Sequence, residues 1–580
     1  MMRSSSIRQL NPFQRRNRLR ARFAARAASA APAMPEGGRP RSFFRLHREM
    51  RSAQEQTRSG GLPVKSSPAP PAAAVIALNR LGFGPRPGDI DAFDSLGVTD
   101  VERLNAYVEE QLDPDSIDDS AAEARLAQSA FTTLDKTLEA LWQDHVLEPD
   151  DDDWDLIMQP FWETQFATFL RGIHSKKQLL EVLTDFWHNH FNVDAFDDVI
   201  GPLWPHSDRD AIRGHAMGNF RQLLEAVARS PAMLWYLDNA FNSLEDANEN
   251  YARELMELHT LGAAAYLGSL PQSQVPVDDA GWRVGYVEED VVAAARCLTG
   301  WTVDDEGPAS TGTFLYRGEW HDQGPKTVLG VDLPAAQAPM QDGWDLLDLL
   351  SRHPATARHI ATKLCRRLIG DNVPESVVDA AAAVFTAQVD APDQLAQVVR
   401  AIVLSDEFLT TWGDKVKRPF EIAVSAFRGA GGDLPFIVGD SDTDWFFWTY
   451  VKTGHGLFFW HTPDGYPDVK EAWNTTAPRV MCWRVTNLLT VLRDPSDNHY
   501  FDLVDQTPAA VRSAQDLVAF WTDRILGRPA EASEEAKLVD FMAQEHDPTF
   551  PLPLDTDGNT RERLRAMVGL IFIMPSFLWR

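Results

Sequence analysis

The chain has 580 residues, 44% hydrophobic and 10% aromatic, with 84 Asp and Glu against 55 Lys and Arg and a formal net charge of −29 at pH 7. That length buries a large core, and those fractions fit a folded globular protein. The acidic balance speaks against nucleic acid as a partner, and no run of apolar residues is long enough for a transmembrane segment.

The charge is unevenly placed. Residues 1–65 hold 15 Lys and Arg against 3 Asp and Glu, which leaves 40 against 81 for the remainder. Arg22 and Arg26 interrupt the only apolar stretch near the start, and the Arg15-Arg16 pair is followed by a poor apolar region. A secretory signal needs an uninterrupted apolar segment there. Residues 1–71, ending in "SSPAPP", are therefore read as a disordered basic tail and linker. A cytoplasmic location is favoured, with a periplasmic or exported one as the alternative. Residues 72–580 are read as one helical domain.

Spacing near 3.6 residues predicts helices over 72–81, 98–112, 118–146, 155–171, 176–192, 208–229 and 248–261. It continues over 287–299, 343–352, 354–369, 374–388, 392–404 and 415–428, then 477–493, 509–526, 530–546 and 559–574. Strand-like alternation is confined to a hairpin with an elaborate loop over 312–333. The expectation is a mainly α, multi-helical body with a small β-hairpin. Cys297, Cys365 and Cys482 are distant from one another and odd in number. They build no disulfide framework, zinc knuckle or haem-attachment motif, and read as small buried apolar residues.

In chain order, the first polar motif is "LTDFWHNHFNV" (183–193). On a helix its two histidines diverge by about 160°, so they do not chelate one metal as they would from a strand. His190 falls on the apolar arc and reads as a buried, hydrogen-bonded ring. His188 falls among polar groups, where Asp185 three residues earlier would orient it. The acidic stretches "EPDDDDWD" and "NSLEDANEN" read as solvated loops, since neither has EF-hand spacing.

The second motif, "NENYARELMELHTLG" (248–262), puts Glu254 on an apolar arc with Asn250 and Glu257 along the same edge and His259 opposite. Arg253 points elsewhere. A carboxylate turned toward a core needs a partner or a raised pKa. A cationic partner from a different motif is expected beside it: Arg296, Lys326, a protonated histidine or a bound metal. In "YVEEDVVAAARCLTGWTV" the early acids suit a helix start, with Asp290 and Arg296 as the notable polar groups. "WHDQGPKTVLG" gathers His321, Asp322 and Lys326 in a Gly/Pro loop, and "WHTPDGYPDVKEAWN" reads as a fixed loop packed over the body.

These elements resemble the bacterial DUF1800 family, whose function is uncharacterised. The matching stretches are "LNRLGFGPRPGDID", "LTDFWHNHFNV", "YLDN", "NENYARELMELHTLG", "EEDVVAAARCLTGW", "HDQGPKTVLG", "ATKLCRRLIGD", "KRPFE", "TPDGYPD" and the ending "PSFLWR". Val287 departs from the Ser or Thr usual before the "EED" acids. The resemblance implies a large helical body and, through frequent gene proximity, a sulfatase-like DUF1501 protein as partner. It implies no reaction.

Two classes of function follow. One is a hydrolytic enzyme with a polar site between helices, with a divalent metal as an option. Glu254 would be its acid or base, His188, Asp185, His321, Asp322 and Lys326 its further catalytic candidates, and Asn250, Arg253, Glu257, His259, Asp290, Arg296 and His190 its binding residues. The other is a non-catalytic accessory of an exported DUF1501-like protein. A haem or metal-binding protein is a weaker third reading. The sequence has no P-loop, dinucleotide fingerprint or Ser-centred elbow, so no nucleotide cofactor is expected.

Overall fold

The computed structural model describes residues 70–149 and 153–580. The expected tail lies outside the described residues. Helices carry the described chain from Ala73–Arg80 to Pro575–Leu578, and strands are confined to two antiparallel pairs. One contiguous hydrophobic cluster runs from Ala73 to Leu578. The three cysteines are free and buried. Among the described residues no helix is long and apolar enough to cross a membrane.

Two helices form the spine. Trp154–His174 is capped by Asp153, whose carboxylate accepts from Leu156 N–H at 3.2 Å. It packs on Pro419–Ala430, every residue of which is buried. The contact is aromatic, with Phe169 and Phe420 edge to face at 5.2 Å. Gly172 sets the approach, since a Cβ there would lie 3.3 Å from Val424 Cγ1.

Most predicted helices form within a turn of their expected ends, and the departures have physical causes. The run 118–146 breaks into Ser120–Gln128 and Leu138–Trp142, with a wide turn over Gln143–Leu147. The run 208–229 splits because Asn219 restarts the helix, its Oδ1 accepting from Arg221 and Gln222 N–H. The 415–428 helix begins only at Pro419. Before it the chain is extended: Lys415 and Arg580 exchange backbone hydrogen bonds of 3.2 and 2.9 Å, and Lys417 N–H reaches Leu578 O at 2.9 Å.

The expected 312–333 hairpin is two separate pairings. Its first strand, β2 (Phe314–Tyr316), pairs with β1 (Trp301–Val303) instead. Its second half closes on itself, β3 (Lys326–Val328) with β4 (Val331–Leu333). The two-residue turn takes positive φ at Leu329 (51°) and Gly330 (78°), the primed geometry that matches strand twist.

Candidate functional site

The "HNHFN" residues go to different places. His188 Nε2 meets Asp208 Oδ1 at 2.9 Å, and the predicted pairing with Asp185 does not form. Asp208 also meets Arg171 at 3.2 Å and Arg213 at 3.5 Å, and Arg213 holds Glu181 at 2.7 Å. These cations hold the Asp208 carboxyl far below the usual range against the opposing effect of burial. Asp185 turns to Arg418, with Arg367 3.6 Å away. Both helix neighbours are drawn to buried opposite charges on other elements, which outweighs their contact with each other. Asn189 exchanges hydrogen bonds with the Tyr466 backbone at 2.7 and 2.9 Å, and Asn192 Nδ2 donates to Trp460 O and Thr462 O. The "WHTPDGYPD" loop is therefore fixed on the body, as expected.

The "HDQGPK" loop closes on itself. Arg296 holds Asp322 through bonds of 2.7 and 3.1 Å. Lys326 Nζ donates to Asp342, to Asp322 O at 2.5 Å and to Gly324 O at 3.0 Å. His321 lies between Thr299 O (2.9 Å) and Asp342 (3.1 Å). Asp290 accepts from Val287 N–H, Leu329 N–H and Gln272, so it serves half a capping box to which Val287 contributes no side-chain acceptor. These groups clamp the strands to the helix Glu288–Cys297.

The "NENYARELMELHTLG" helix is regular only over Glu249–Glu254, then widens into a π-type turn over Leu255–His259. Thr260 Oγ1 donates to the freed Leu255 carbonyl at 2.6 Å. Arg253 binds Glu288 and Glu249, and Asn250 Nδ2 donates to Leu237 O. The cation expected beside Glu254 is not there: Arg296 and Lys326 are held in the clamp. Glu254 is half-buried and makes no ion pair among the described residues. Burial first, then Glu257 and Asp464, push its carboxyl up to about 7.

The widened turn delivers His259 into the interior, 0% exposed, with neither ring nitrogen partnered among the described residues. His190 lies against it, 1% exposed, with ring centroids 6.2 Å apart, and His359 lies 6.0 Å from His190. His190 Nε2 is 3.1 Å from His259 O, and His359 Nε2 is 3.1 Å from Leu258 O. A carbonyl only accepts, so both rings carry their proton on Nε2. His190 Nδ1 is then a bare lone pair without a partner. Burial, reinforced by the Lys363 charge, lowers His259 to about 3, His359 to about 4 and His190 well below its usual value. Burial also lowers Lys363 to about 8. Asp464 raises both Lys363 and Glu254.

Beside His190 lies a cavity of about 30 Å³, lined by Lys363, Arg366, Arg367, Arg418 and Asp468, with Phe186 and Asn189 completing the wall. Behind it, Glu421 receives Arg367 at 2.7 Å, Arg580 at 2.8 Å and the Arg418 backbone N–H at 2.8 Å. Lys415 Nζ sits 3.1 Å from Asp371 and 2.8 Å from Asp468 Oδ1, the latter without hydrogen-bond alignment. A larger cavity of about 390 Å³ lies elsewhere, a groove lined by Trp445, Leu488 and Val491 with exposed Arg484 and Glu562. It gathers no buried charges, so we place the candidate site at the smaller one. Among the described residues no group of three or more His, Cys, Asp or Glu is arranged to hold a metal ion.

Of the predicted residues, His190 lines this cavity and His259 lies against His190, whereas Glu254 and Glu257 are not among the cavity's lining residues. His188, Arg253, Asp290, Arg296, His321, Asp322 and Lys326 are held in ion pairs and clamps away from the cavity wall. The quoted stretches carry Lys363, Arg366, Arg367, Arg418 and Asp468 without marking them as site residues, and His359 lies outside those stretches. The visible signal was three cations at positions i, i+3 and i+4 on one helix, Lys363, Arg366 and Arg367, a spacing that crowds like charges.

Fold and site together define an α-helical protein with a buried, charge-lined pocket between helices. The chain belongs to the DUF1800 family, described as proteins of unknown function, whose model matches residues 76–579. No curated protein and no solved structure matches it.

Proposed function

We propose that the protein is a hydrolytic enzyme whose polar site lies between the helices Gln178–His190 and Pro354–Leu368 and the turn Leu255–His259. The observation that carries this reading is Glu254, a half-buried carboxyl without a cationic partner whose pKa stands near 7. A general acid–base works best with a pKa near the working pH. His190 supports it with an unpartnered Nδ1 lone pair that can accept a proton or orient water. The test is a panel of aryl phosphate, sulfate and carboxylate esters. Turnover should rise along a limb near pH 7, and Glu254→Gln should lower kcat about 100-fold or more, the usual range for a lost acid or base. No turnover across the panel, or turnover untouched by Glu254→Gln, sinks the reading.

A second reading, an accessory that docks a DUF1501-like protein, is favoured by one observation. Trp445 (57% exposed) and Val491 (47%) line the larger groove, and exposed apolar patches mark interaction surfaces. Co-purification abolished by Trp445→Ala, with no catalysis, would favour it.

A further inference from the structure

We propose that the cavity beside His190 is an oxyanion site that takes the phosphate, sulfate or carboxylate headgroup of a ligand on Lys363, Arg366, Arg367 and Arg418. This names the ligand class of the site described above, and its test needs no turnover, so the two readings fail separately.

Charge is the first argument. Four cations line the cavity against one carboxylate, Asp468, which Lys415 already faces from the other side. The second is unsatisfied donors. Arg367 is 1% exposed and Arg418 2%, yet Arg367 Nε and Nη2 and Arg418 Nε have no hydrogen-bond partner among the described residues. Asp185 lies 3.6 Å from Arg367 Nη2, and Glu421 lies 3.5 Å from Arg418 Nε, both out of alignment. A buried guanidinium N–H without an acceptor is costly, and an oxyanion offers the several acceptors such forks suit. The third is placement. Glu421 accepts from Arg367 and Asp185 from Arg418, which fixes both guanidiniums at the cavity wall. Lys363 and Arg366 make no ion pair or hydrogen bond among the described residues, so no fold contact explains their stacking on one helix face. Size agrees: a water needs roughly 10–15 Å³ on this measure, and about 30 Å³ admits a small oxyanion but not a large ligand. The rest of the ligand would extend outward past half-buried Lys363.

The ammonium of Lys363 faces Asp468 and Asp464, which favour its charge, and Arg366 and the neutral rings of His190, His259 and His359. With its pKa near 8 it loses its proton as pH rises past that value, and anion affinity should fall with it.

The experiment is calorimetric titration of the full chain with inorganic phosphate, sulfate and acetate in chloride buffer at constant ionic strength. One saturable site is expected for at least one anion, weakening above pH 8, and the preferred anion identifies the headgroup. The double variant Lys363→Gln, Arg366→Gln should lose about tenfold or more in affinity while its circular dichroism and melting temperature hold, because neither side chain makes an ion pair or hydrogen bond among the described residues. Absence of saturable binding for all three anions, or binding unchanged in the double variant, overturns the proposal. The single variant Arg366→Gln, more conservative still, provides the same reading if the double variant misfolds.

Discussion

Glu254 joins two properties that usually oppose each other, function and stability. Its folded pKa of about 7 stands above the ordinary carboxyl value of 4.5. The native state therefore binds a proton that the unfolded chain releases between those values. The stability this lends is present below pH 4.5 and lost as pH rises through 7. At pH 8 the ionised side chain costs folding about 1–2 kcal/mol, well under the full linkage value because it remains partly solvated. Glu254→Gln should accordingly stabilise the protein at pH 8 by about that amount and be neutral at pH 4, measured by chemical denaturation at both pH values. Equal effects at the two pH values would mean the carboxyl titrates normally. His190 teaches the same lesson in another form: its burial was legible from the helical arc, but its missing Nδ1 partner was not, because that depends on His259 O from a turn about 70 residues away.

At the scale of elements, legibility followed periodicity. The amphipathic helices, such as Gln341–Arg352 and Gln394–Val403, show a clear apolar stripe and lie where spacing put them. Ser441–Val451 was missed because it is aromatic on several faces, and its signal lies in the Asp440 cap that accepts from Asp442 and Thr443 N–H. The π-type turn at Leu255–His259 was unreadable for a related reason: a regular wheel cannot register an inserted residue, and that residue is what aims His259 inward. The site stayed hidden as a whole because Arg367, Arg418 and Asp468, on separate stretches, come together only through tertiary packing. The extended strap 415–417 against 578–580 is equally nonlocal, and it makes a prediction. Arg580 is buried, donates to Glu421 at 2.8 Å and pairs in backbone with Lys415. Arg580→Ala should destabilise by about 3 kcal/mol, the low end for breaking a buried pair, since Arg367 and Arg418 still hold Glu421. A loss under about 0.5 kcal/mol in denaturant titration would show the strap to be peripheral.

Across the whole molecule two electrostatic effects of opposite sign meet. Beyond residue 65 the chain holds 81 Asp and Glu against 40 Lys and Arg, so at pH 7 self-repulsion strains the compact state. Mild acidification relieves it, and protonation of Glu254 adds to the gain. The buried carboxylates act the other way. Glu421 is held far below the normal range by buried arginines and Asp208 by half-buried ones and His188, both against the opposing pull of burial, and Asp468 is lowered by Lys415 and Arg418. For a depressed carboxyl, stability is present above the unfolded pKa and is lost as pH falls below it. The unfolded values of 3.8 for Asp and 4.5 for Glu place that loss below about pH 4.5. Stability should therefore rise from pH 8 to a maximum near pH 5–6 and collapse cooperatively below about pH 4. Salt separates the two terms, because it screens exposed charges and reaches buried pairs poorly. Added 0.5 M sodium chloride should raise the melting temperature at pH 8 while leaving the acid transition nearly in place, since the pairs at Glu421 and Asp208 lie beyond its reach. A melting temperature that climbs steadily down to pH 3, or an acid transition shifted by salt as strongly as the neutral one, would show that exposed charge alone governs the fold and that the buried network carries little of it.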